Sequence, residues 1–131
     1  MMACIYCMQE FKRGENMHDT KVSILGTEYE IRFVDDENDP KLADHDGYCD
    51  SSAHLMVVST MKNTDVMSKA NIGVYQKSVL RHEIVHAFLF ESGFDGNSNG
   101  VPHWDSNEEM VDWIAIQFPK INKVYKELEL I

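Results

Sequence analysis

Apolar and polar positions alternate through Val22 and Ile24, and again through Tyr29, Ile31 and Phe33, on either side of Gly26-Thr27. A period of two puts every second side chain on the same face, so this stretch predicts an antiparallel hairpin with one buried and one wet side. A second hairpin is expected from Gly47 to Asp50 and from His54 to Thr60, turning at Ser51-Ser52. The acidic, turn-rich connector between them, residues 35 to 47, lacks the ligand spacing and flanking helices of an EF-hand and reads as a solvated link. The period then lengthens. A helix is expected from Ile72 to Ser92, stopped by Gly93. Met110, Val111, Ile114, Ala115 and Phe118 mark a second helix, expected to end before Pro119. Ile121, Val124, Tyr125 and Leu128 mark a last short one. Residues 1 to 18 show no periodicity and are expected to be a poorly ordered extension, leaving 19 to 131 as a single domain. The predicted class is α+β, a small and mostly antiparallel sheet packed on two or three helices.

The first helix is unusual in what it carries. From Val79 to Phe90 it reads V-L-R-H-E-I-V-H-A-F-L-F, and beyond Arg81 its only polar side chains are His82, Glu83 and His86. A helix that is apolar nearly all round is expected to be buried, where three ionisable groups without partners are costly. A metal ion removes that cost. Residues at i and i+4 lie one above the other, so both imidazoles reach one ion, while Glu83 leans in from beside them. Two neutral imidazoles suit Zn²⁺. A catalytic zinc takes a third protein ligand and keeps one position for water, and a carboxylate outside the ligand set can take the water's proton.

Two residues compete to be the third ligand. Glu108 shares a helical face with Val111, Asp112 and Ala115. A capping box formed by Ser106 and Glu109 would occupy Glu109 at the helix start and leave Glu108 to point inward. Asp112, one turn on, can accept the outer N–H of a ligating histidine and so fix its tautomer. His103, in the loop sequence G-V-P-H-W, is the alternative ligand. If Glu108 ligates, His103 becomes a candidate for stabilising the oxyanion, together with Tyr48 and Tyr75.

Composition narrows the function. A chain of 131 residues supports one core and no separate substrate lobe. Its formal net charge of −10 argues against nucleic acid as a partner, since that binding rests on Lys and Arg. No membrane span and no signal peptide are recognisable, and three cysteines, Cys4, Cys7 and Cys49, leave an odd thiol. A reducing cytoplasm is the expected compartment. Cys4 and Cys7 form a lone C-x-x-C pair, a weak signal for a metal or redox role.

His82-Glu83-x-x-His86 followed by Asn107-Glu108-x-x-x-Asp112 resembles the gluzincin pattern of thermolysin-like peptidases. At this length it looks most like the small ImmA/IrrE-type metallopeptidases of phages, mobile elements and bacterial stress responses, over about residues 72 to 118. The resemblance implies a minimal zincin fold and a zinc-dependent peptidase. His82, His86 and Glu108 would hold the metal, Glu83 would be the general base, and a protein or peptide would be the substrate. It further implies that an edge strand of the sheet pairs with the extended substrate. The segment H-E-I-V-H-A-F-L-F also resembles the metal helix of SprT-like proteases, whose third ligand would here be His103. Outside peptidases, a non-catalytic zinc-stabilised interaction module and a hydrolase of non-peptide amides are the remaining readings.

Overall fold

A computed structural model describes residues 17–63, 71–94 and 107–131. Strands β1 (Thr20–Ile24) and β2 (Thr27–Val34) form the expected antiparallel hairpin, in register from Thr20 opposite Ile31 to Ile24 opposite Thr27. That register makes Leu25-Gly26 the turn, one residue earlier than the sequence suggested. Both residues have positive φ, 49° and 89°, as a two-residue turn matched to strand twist requires. Leu25 accepts this conformation at a solvent-exposed tip.

Strands β3 (Gly47–Asp50) and β4 (Leu55–Ser59) form the second hairpin. The hairpins join through β2 and β4, which run parallel, with Ile31 opposite Met56 and Phe33 opposite Val58. The sheet order is β1-β2-β4-β3, so β4 is internal and β3 is an edge. Position explains composition: Met56, Val57 and Val58 are all buried, as a strand covered on both faces requires. The acidic connector is less solvated than predicted. It forms two short 3-10 turns, Asp36–Asn38 and Pro40–Leu42, buries Leu42 and accepts the Ser59 hydroxyl on Asp36.

Helix α1 (Ile72–Glu91) lies on the sheet. Ala87 joins Ile24, Tyr29, Ile31 and Met56 in the core, with Leu80 and Ile84 packed against them. The Asn71 side chain accepts from the Val74 amide and caps the start. Gly93, at φ 90°, ends the helix: the Phe94 amide donates to Leu89 and the Gly93 amide to Phe90, the paired bonds of a Schellman stop. The Gln76 amide group donates to the carbonyls of Ser59 and Thr60, tying α1 to the end of β4. The helix is less buried than its sequence implies. Only Glu83 and Ala87 are fully buried, and Phe88 is exposed, because one sheet and one partner helix cover only part of its circumference.

Helix α2 (Glu108–Glu127) packs on α1 through buried Val111 and Ala115. It runs straight through Pro119, where the sequence predicted a break. Proline forfeits one bond, to the Ala115 carbonyl, whereas ending one helix and starting another orphans about four groups at each terminus. The cap also differs from expectation. Asn107 is the cap, accepting from the Met110 amide, so Glu109 does not occupy the capping-box position; Ser106 is outside the described residues. No described helix is long and apolar enough to cross a membrane.

Candidate metal centre

The helical spacing of His82 and His86 brings their Nε2 atoms to 3.1 Å, with the rings edge to face. Glu108, in the first turn of α2, reaches both: one carboxylate oxygen lies 2.8 Å from His82 Nε2 and the other 3.2 Å from His86 Nε2. Asp112, one turn further along α2, lies 2.5 Å from His82 Nδ1. A ring nitrogen facing a carboxylate at that distance carries the proton, so in the neutral ring Nε2 presents a lone pair. That lone pair meets a carboxylate and a second imidazole nitrogen. Acceptors converging on one point repel unless a proton or a metal cation stands between them. Zinc with bonds of about 2.0–2.1 Å holds tetrahedral ligands about 3.3 Å apart, close to the spacings among these three groups. The donor set fits the ion.

Glu83 is the buried member of the motif, 5% exposed. Burial pushes its carboxyl from an ordinary 4.5 up to about 7; His82 pulls it down, and the neighbouring carboxylates of Glu108 and Asp112 push it up again. No hydrogen bond to its carboxylate occurs among the described residues. It lines a groove of about 740 Å³ together with His82, His86, Glu108 and Asp112.

The opposite wall of the groove is β3 and the residues leading into it, Asp44 to Cys49. Gly47 makes this approach possible. A Cβ there would lie 2.7 Å from Val79 Cγ1, 2.9 Å from the Val57 carbonyl and 3.6 Å from Glu83 Cγ. Sequence reading gave Gly47 no role, and a lone glycine at a strand start carries no signal for one. Tyr75 is one of the two tyrosines, with Tyr48, that the sequence offered as an oxyanion donor. It stands two turns before His82 on the same face of α1 and donates its hydroxyl to Asp46 across the groove. That bond, reinforced by burial, pushes the phenol up to about 12. Tyr48 also lines the groove, but its hydroxyl donates to Asp39, 2.5 Å away. His103, Cys4 and Cys7 lie outside the described residues; Cys49, on β3, forms no disulfide among the described residues.

The structure thus gathers His82, Glu83, His86, Glu108 and Asp112 at one groove, with Tyr75 across from β3. No family model, no curated protein and no solved structure matches the chain.

Proposed function

We propose that the chain is a zinc-dependent metallopeptidase of the gluzincin type, with His82, His86 and Glu108 as the metal ligands. The observation that carries the reading is the pairing of three converging ligand atoms with a buried carboxylate on the same groove, Glu83, that has no hydrogen bond among the described residues. A purely structural site has no use for Glu83.

Zinc, when bound, supplies a Lewis acid that polarises a carbonyl and acidifies water. Glu83 acts as general base and then general acid, taking a proton from the attacking water and returning it to the leaving amine. Its burial, without a hydrogen bond among the described residues, leaves the carboxylate available for both halves of that task. Asp112 fixes the tautomer and the orientation of His82. The outer edge of β3 has no partner strand among the described residues and offers main-chain groups to an extended peptide. Tyr75, protonated at any physiological pH, stands where its hydroxyl can turn from Asp46 toward the developing oxyanion. A cytoplasmic setting belongs to the same proposal, as does the absence of nucleic acid as a partner, on the strength of the net charge of −10.

Elemental analysis of protein purified without chelator tests the metal, with about one zinc per chain expected. Incubation with unstructured proteins, read by mass spectrometry for new termini, tests the activity. Zinc-loaded protein that cuts nothing would point to the non-catalytic module. Loss of metal in His103→Ala but not in Glu108→Gln would transfer the third ligand to His103 and favour the SprT-like reading.

A further inference from the structure

The groove is one-sided in charge. Among the described residues five carboxylates line it, those of Asp44, Asp46, Glu83, Glu108 and Asp112, and no lysine or arginine does. The nearest cation along the chain, Lys41, lines the adjoining hollow. It is engaged there, 3.6 Å from the Asp50 carboxylate and 5.0 Å from the centroid of the Tyr48 ring.

The five carboxylates divide by partner. Glu108 and Asp112 are committed to the two histidines. Glu83 is buried at the groove's inner wall without a hydrogen bond among the described residues, a polar group left for whatever enters. Asp46 accepts the Tyr75 hydroxyl and keeps its second oxygen. Asp44 has no hydrogen bond or ion pair among the described residues and lines both hollows. Asp44 and Asp46 therefore form an anionic step immediately before the free edge of β3. A peptide extended along β3 directs alternate side chains to one face. A side chain at the N-terminal end of the strand meets that step, with the Tyr75 ring beside it.

We infer that the groove selects a peptide bearing arginine or lysine close to the bond to be cut, the cationic head held between Asp44 and Asp46. The inference rests on the peptidase reading for the word cut, but the cation site itself can be tested without hydrolysis. Arginine is the better fit, because its planar fork can bridge two carboxylates and stack on a phenol ring.

The binding test uses zinc-loaded Glu83→Gln protein and two labelled hexapeptides, hexa-arginine and hexa-citrulline, which share shape and differ in charge. Hexa-arginine should bind about tenfold more tightly, the size expected of two charge-assisted contacts at a partly open site. Adding Asp44→Asn and Asp46→Asn should abolish most of that advantage, whereas Glu127→Gln with Glu129→Gln, remote from the groove, should keep it. Asp44→Asn alone, which breaks no described contact, carries the test if the double variant does not fold. An advantage lost equally in groove and remote variants would overturn the inference, since net charge alone would then explain it. Wild-type cleavage of a peptide library supplies the second arm. Cuts without Arg or Lys enrichment nearby would overturn the inference and leave the peptidase standing. Groove-dependent arginine binding with no cuts at all would uphold the cation site and remove the peptidase.

Discussion

Glu83 and Glu91 sit about two turns apart on the same helix and are treated in opposite ways. Glu91 receives two hydroxyl donors, Tyr29 at 2.7 Å and Thr27 at 2.9 Å, and these hold its carboxyl below the ordinary carboxylate range. Glu83 is more deeply buried, receives no hydrogen bond among the described residues, and is pushed up to about 7. The first carboxylate pins α1 to the β1-β2 hairpin. The second is left with its proton equilibrium near neutrality. Among the described residues the fold satisfies one glutamate and leaves the other without a donor, so attachment and the proposed chemistry fall to different carboxylates of one helix.

The sharpest way to break this comparison is to neutralise each in turn. Glu83→Gln should retain fold and zinc while peptide hydrolysis falls by roughly 10²- to 10⁴-fold. Glu91→Gln should retain hydrolysis and lower the melting temperature. Equal losses of turnover in both variants would erase the distinction. The next effect is on the metal. Asp112→Ala should weaken zinc by roughly 10- to 100-fold in a chelator competition, and Thr27→Val, at the pinned end, should not change it.

The metal-free protein sharpens the contrast through pH. Because the folded value for Glu83 lies above its unfolded one, its contribution to stability is full below about pH 4.5 and declines as pH rises toward about 7. The difference is on the order of 3 kcal/mol. Denaturant melts of metal-free wild type minus Glu83→Gln at pH 5 and pH 8 isolate it; a flat difference would remove burial as the cause. Glu91 has the opposite sign. Its depressed value contributes stability above about pH 4.3 that is lost as pH falls further. Tyr29→Phe should therefore cost roughly a few degrees of melting temperature at pH 7 and progressively less in acid, the smallest of these effects.

Much of this was legible in the sequence where a local rule decides the outcome. The alternation of Tyr29, Ile31 and Phe33 marked the first hairpin, Gly93 the end of α1, and the helical spacing of His82, His86, Glu108 and Asp112 the residues that now surround one point. What escaped depends on non-local geometry. Nothing in either hairpin announces that β2 and β4 pair in parallel. The Gly47 approach to Val79 exists only once sheet and helix have docked. Pro119 illustrates a local rule overridden, because one lost backbone bond costs less than two new helix ends. The apolar circumference of α1 overstated its burial for the same reason: coverage is set by how many elements pack against it.

Helix α2 buries just Val111 and Ala115, and it carries Glu108. Local opening of its docking onto α1 would be read in the amide exchange of α2. On the proposed zinc reading, each such opening would take Glu108 away from His82 and His86. If zinc binds there, its apparent affinity would be the intrinsic affinity scaled by the docked fraction, and added zinc should slow amide exchange along α2. On that reading, metal supply would be registered as the closure of α2 onto α1.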